Sequence, residues 1–273
     1  MGSLVLFELR KRWKAALGWG VGLTLFGALY LVIFPEVEQE MAGLADISIY
    51  QVMGVNLGSF PDYIGSVVLL FVPLLLGIYA ISNGTRTLAG EEEDGTLELV
   101  MARPLDRRQI VIAKAFAIGV TLFVVLLVAG GGNAAILSVV KRGYDTPLMP
   151  GQLFLALLSS WPITFAVAMI ALFLGALTPT RRLATAAVTT FFVGSYFGEN
   201  LSGMVSSLEG LKPFMIFSHY DSSATALTEG PALGDIGVLL ALCALFLGLA
   251  LWVFGRRNVT VGEWTGRSNP GPR

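Results

Sequence analysis

The sequence predicts an all-α, polytopic membrane protein with six transmembrane helices. Three observations predict it: an apolar composition, six apolar runs of near-spanning length, and basic residues gathered on one side of those runs. Hydrophobic residues make up 55% of the chain, charged residues 14%, and mean hydropathy is +0.73; a soluble chain carries about 25% charged residues. A hydrocarbon core of about 30 Å takes roughly 20 helical residues. Runs near 15–34, 64–81, 110–139, 153–177, 183–198 and 236–254 answer to that length. The third can begin outside the bilayer or tilt, and the fifth is the shortest. Of the 18 Lys and Arg, all but Lys141, Arg142 and Lys212 fall in the N-terminus, the second and fourth loops and the tail. Cationic loops are retained in the cytoplasm, so both termini are expected there, in a multi-pass protein of the plasma or inner membrane.

The net charge of −1 hides this asymmetry, because Glu36, Glu38, Glu40, Asp46 and Asp62 fall on the opposite side with no base among them. A basic face turned to an anionic leaflet accounts for the positive loops, and nucleic acid is not implied. The single Cys243 excludes an internal disulfide and a cysteine zinc site, which leaves packing as its expected role. The chain is expected to form one membrane domain, 1–260, with a Gly- and Pro-rich disordered tail, 261–273.

Phe7 to Lys14 reads as a short amphipathic elbow, with Phe7 and Trp13 in the headgroup layer and Arg10, Lys11 and Lys14 facing water. The apolar run after it is too long for a cleavable leader and lacks a small-residue cleavage site, so it is expected to stay as the first span. Pro35 to Pro61 reads as an outer loop containing a short helix. Pro73 and Pro162 lie inside spans and predict kinks. Asn133, after three glycines in the third run, either packs helices together or lines a pathway. Between the fifth and sixth spans, Leu201, Met204, Val205, Leu208 and Leu211 recur at helical spacing before Pro213. That stretch is too short to span and predicts an external interfacial or re-entrant helix. Glu199 and Asn200, at the outer end of the fifth span, either line an exit or mark the membrane boundary.

The densest information is the charged island Gly90 to Lys114. Glu91, Glu92, Glu93 and Asp94 precede Gly95, and the run Thr96 to Met101 then reads as a helix with acids near its positive end. Leu97, Val100, Met101 and Pro104 make one short apolar stripe, Pro104 ends the helix, and Asp106 caps the next one. Two turns cannot bury their own stripe, and the flanking acids with Arg103, Arg107 and Arg108 are ill suited to lipid. The alternatives are a solvated loop that obeys the inside rule or a handle for a groove on a soluble partner.

Glu-Glu-Glu-Asp-Gly-Thr-Leu-Glu-Leu, then Arg-Pro-Leu-Asp-Arg-Arg, then Lys114 resembles the first cytoplasmic loop of ABC-2 type transporter permeases. The resemblance extends to the elbow, the six spans, the basic fourth loop (Pro179, Arg181, Arg182) and the Pro-Phe…His-Tyr stretch from Pro213 to Tyr220. It implies the transmembrane half of a type V ATP-binding cassette exporter, with two chains packing as a homodimer. Two copies of a separate ATPase subunit, holding ATP and Mg, would dock on loop 90–114. Gly95, Thr96, Leu97, Glu98, Val100, Met101 and Pro104 would dock the partner, with Gly95 letting the chain turn before the coupling helix begins, and Arg103, Arg107 and Arg108 would supply charge complementarity. The chain itself is expected to be no enzyme and to hold no cofactor or metal. It has no Gly-x-x-x-x-Gly-Lys-Ser/Thr loop, no Gly-x-Ser-x-Gly motif beside His219, and only that one histidine. The apolar runs hold hydroxyls such as Thr121, Ser160 and Thr164 but almost no ionisable group. Ion-coupled transport is therefore disfavoured and a hydrophobic or amphipathic drug, antibiotic, peptide or lipid favoured. The alternative is a non-transporting scaffold that uses the same loop as a binding handle.

Overall fold

The computed structural model describes residues 2–44, 59–96, 106–178, 180–202 and 206–256, and among them every regular element is a helix. In order these are α1 (Gly2–Leu44), α2 (Phe60–Glu93), α3 (Arg107–Val140), α4 (Pro150–Leu158), α5 (Trp161–Leu177), α6 (Arg181–Ser202), two 3₁₀ turns (Ser206–Phe214 and Ile216–His219), α7 (Ala224–Glu229) and α8 (Leu233–Arg256). α5 forms the centre. It packs against α2 on one side and α8 on the other, while α1 lies along α3. The α1–α3 seam is close because small residues face bulky ones. A Cβ at Gly20 would stand 2.7 Å from Val128 Cβ, one at Gly132 2.4 Å from Thr24 Cγ2, and one at Gly27 2.1 Å from Asn133 Oδ1. Close backbone approach through small residues is how helices associate in lipid, where no hydrophobic drive pulls them together.

Five helical stretches are long and apolar enough to cross a membrane: Gly2–Glu38, Phe60–Glu93, Arg107–Val140, Pro150–Leu177 and Leu233–Arg256. They coincide with the first, second, third, fourth and sixth expected spans. The fifth, 183–198, lies within α6, which has the length at 22 residues. Its hydropathy falls short because Arg181, Arg182, three threonines, Glu199 and Asn200 punctuate it.

Three further expectations are altered. The elbow is not a separate element: α1 runs unbroken from Gly2 into the first span, since nothing between Lys14 and Leu17 breaks a helix and Glu8 pairs with Arg12 one turn on. The start of the expected outer loop is helical too, as α1 continues through Pro35 to Leu44. Phe34 packs edge-on to Phe60 and Tyr144 and tilted against Tyr63, which holds the turn that the missing proline N–H weakens. Between α6 and α8 the expected interfacial helix is a 3₁₀ turn over Ser206–Phe214. Gly210 costs helix stability there and Pro213 withdraws a donor. The rest of the outer loop (45–58) and the tail (261–273) lie outside the described residues.

Both intramembrane prolines leave a mark. Upstream of Pro73, α2 winds through a π-turn at Gly65–Leu69. Pro73 also has no N–H to give the Leu69 carbonyl four residues before it. Pro162 sits in the first turn of α5, after a break at Ser159–Ser160, where the Trp161 ring N–H donates to the Gly119 carbonyl of α3 at 2.9 Å.

Candidate functional site

The end of α2 and the start of α3, on either side of residues 97–105, are joined to each other and to the start of α1 by a largely buried chain of alternating charges. Lys114, on the second turn of α3, is completely buried. Its Nζ donates to Glu8 Oε1 of α1 at 2.7 Å and to Glu91 Oε2 of α2 at 2.6 Å. Each carboxylate serves a second cation: Glu8 Oε2 accepts from Arg12 Nη1 at 2.6 Å, and Glu91 Oε1 from Lys11 Nζ at 3.2 Å. Arg12 gives two further donors to α2, Nη2 to Thr87 Oγ1 at 3.0 Å and Nε to Asn83 Oδ1 at 3.3 Å. Burying charges costs several kcal/mol per ion unless each is paired and hydrogen-bonded; here every member is.

The backbone of α2 is wound to serve this cluster. Positions four apart on an α-helix drift off one face by about 40° per step, so Asn83, Thr87 and Glu91 would not all reach the same neighbour. A π-turn at Arg86–Gly90 turns less per residue and takes back the drift. Beyond it, Glu93 reaches across to α6, where Oε1 accepts from the backbone N–H of Arg181, the first residue of that helix, at 2.8 Å. A carboxylate on a helix's first N–H groups satisfies an orphan donor and complements the dipole.

The residues expected to dock a partner follow directly. Gly95 turns the chain with φ +66° in open space, a conformation that favours glycine. Thr96 is exposed, and its hydroxyl donates back to the Glu91 carbonyl at 3.3 Å. Leu97, Glu98, Val100, Met101, Arg103 and Pro104 lie outside the described residues. Arg107 opens α3 with Arg108 exposed beside it, and Asp106 holds the N-cap position without a side-chain cap bond.

The other candidates sit elsewhere. Asn133 is buried in the α1–α3 seam, where its Nδ2 donates to the Ala129 carbonyl at 2.8 Å and the Leu23 carbonyl at 3.4 Å. Glu199 and Asn200 line a cavity of about 480 Å³ at the opposite end of the bundle, together with Asp62, Asp221 and Asp235. Glu199 accepts from Ser218 and pairs with Lys212 Nζ at 3.5 Å. His219 faces Asp235 at 3.3 Å, and no cluster of metal-binding side chains occurs among the described residues. Behind the cavity, Tyr220 OH donates to the Leu69 carbonyl at 2.8 Å, the one that Pro73 leaves without a partner, and meets Ser160 Oγ at 2.9 Å. Removal from water, ahead of the nearby Asp221 charge, raises the Tyr220 phenol well above its ordinary range, so it remains a donor. Gly65 lets this segment close in, since a Cβ there would stand 2.5 Å from the Ser222 carbonyl oxygen.

The profile of the family described as ABC-2 family transporter protein matches residues 4–259, nearly the whole chain. The chain belongs to the ABC-2 transporter family. A search of curated proteins finds no significant match. As an ABC-2 family protein the chain is a multi-pass membrane permease subunit of an ATP-binding cassette transporter. Membership implies association with an ABC ATPase subunit and with the bilayer.

Within this ABC-2 permease, sequence reading singled out Glu91 and Lys114 but missed Glu8, Asn83 and Thr87, and counted Arg12 only as a charge of the basic face. One signal was available: Glu8 precedes Arg12 by four residues, the helical ion-pair spacing, on a stretch otherwise rich in bases.

Proposed function

We propose that this ABC-2 permease is the membrane half of an exporter that moves a hydrophobic or amphipathic compound outward through two copies of the chain. Two copies of a separate ATPase, binding ATP and Mg, dock on loop 90–114, and both termini lie in the cytoplasm of a plasma or inner membrane. The observation that carries this reading is the ion chain through Lys114. It ties the two helices that bracket the loop to each other and to α1, so a displacement of the loop passes to three helices together rather than flexing a free linker. Glu93 extends the connection to α6.

α6 supports the second copy. It buries only Ala184, Val188, Phe192, Ser195 and Ser202. The face bearing Thr185, Thr189, Thr190, Val193 and Gly194 borders an open groove of about 940 Å³. Small and weakly polar side chains on a helix without neighbours on that side among the described residues suit a facing copy with an amphipathic cargo between them. In that setting α6 is the fifth of six crossings, shielded from lipid by its counterpart.

The test is affinity purification of the tagged chain from its native membrane, with mass spectrometry of what accompanies it. Recovery of a separate ATPase with a phosphate-binding loop supports the exporter. A stoichiometric complex without one would replace it with a scaffold.

A further inference from the structure

Among the described residues that line the groove of about 940 Å³ along α6, charge gathers at one end, where Glu93 of α2 stands beside Arg181 and Arg182. The two arginines differ. Arg181 is half-buried and turns back to α2, donating Nη2 to Ser82 Oγ at 3.3 Å. Arg182 is exposed and makes no ion pair among the described residues. Glu93 is exposed too. Its Oε1 accepts the Arg181 N–H at 2.8 Å, which sets the end of α2 level with the first turn of α6, but no described basic side chain pairs with it. An acid and a base therefore share one level of the groove, and neither neutralises the other.

Such a surface is self-complementary. About a two-fold axis, a contact from one residue to a second recurs from the second to the first, so another copy of the chain answers both charges at once. Two copies inserted the same way round are related by an axis along the bilayer normal, which brings equal levels together. An anionic lipid headgroup would answer Arg182 alone and be repelled by Glu93. Further along the groove, Ala186, Thr189 and Gly194 carry little bulk, and small residues let membrane helices approach closely.

We propose that Arg182 of each copy pairs with Glu93 of the other and that the two pairs close the inner end of the groove. The inference rests on the two-copy reading given under Proposed function and adds the contact that shuts the pathway below the cargo. Glu93 lies just before Gly95, where the chain turns at φ +66° into the loop assigned to the ATPase. A displacement of that loop therefore reaches these pairs before it reaches the rest of α6.

The test is energy transfer between full-length chains carrying donor or acceptor fluorescent tags, diluted in phosphatidylcholine vesicles. Arg182→Glu is expected to weaken association about tenfold, because two exposed pairs turn repulsive. Adding Glu93→Arg should restore most of the loss, which a folding defect would not allow. When a Glu93→Cys chain is co-expressed with an Arg182→Cys chain under a different tag, oxidation should give a disulfide-linked species carrying both tags. A parent chain that associates while Arg182→Glu leaves association unchanged and no mixed disulfide forms would overturn the pairing but keep the two-copy reading. A parent chain that stays monomeric would overturn both. Phosphatidylglycerol retention that falls in Arg182→Glu, with association unchanged, would assign the arginine to a lipid headgroup and also overturn the pairing.

Discussion

The two ends of the bundle handle charge in opposite ways. At the end that carries Glu8, Glu91 and Lys114, charges are drawn inside and closed into a chain with a partner for each. At the other end, Asp62, Glu199, Asp221 and Asp235 line an open cavity, and among the described residues their only basic partners are Lys212 and His219. The cost of burying ions is tolerable only where geometry must be held. Under the proposed export function, the first end would act as a rigid joint and the second as the outer mouth. This difference suits a protein driven from one side and discharging on the other.

Lys114→Met should be the most damaging change. It leaves Glu8 and Glu91 buried without their shared cation, a loss of about 3–5 kcal/mol for a broken buried pair. Thermal unfolding in detergent should show a large drop, partly restored when Glu8→Gln is added. If Lys114→Met unfolds like the parent chain, the joint is not rigid.

Between the ends, Gly27→Ala should cost about 1–3 kcal/mol, as overpacking does, because the new Cβ meets Asn133 Oδ1 at 2.1 Å. Asn133→Ala should relieve it in a double-mutant cycle. Gly22→Ala on the same helix meets nothing within 4 Å, so it should be neutral or stabilising by up to about 1 kcal/mol from helix propensity.

At the mouth the effects should shrink. Tyr220→Phe removes the hydrogen bonds to the Leu69 carbonyl and to Ser160 Oγ, for about 1–2 kcal/mol. Glu199→Gln breaks a partly exposed pair with Lys212, worth about 0.5 kcal/mol. A Glu199→Gln loss as large as that of Lys114→Met would abolish the contrast between the two ends.

How much of this was legible in the sequence divides along the same line. Length and hydropathy locate helices because every backbone group in lipid must be satisfied within its own segment; five of the six expected spans stand on that ground. The position of Gly95 as a turn was legible because few residues accept its φ. The ion chain was not, since Glu8 and Lys114 are 106 residues apart and only the α1–α3 seam brings them together. The continuation of α1 past Pro35 was hidden for the same reason: the aromatic contacts that support it come from α2 and from Tyr144. The Arg86–Gly90 π-turn has no composition signature that would separate it from α-helix.

The most direct test of the account is stimulation of the ATPase subunit by the reconstituted permease, compared for the parent chain and for Leu97→Asp or Met101→Asp. The account predicts that the parent stimulates ATP hydrolysis and that either substitution abolishes both stimulation and co-purification while membrane insertion stays intact. Undiminished partner binding by these variants in detergent would contradict it.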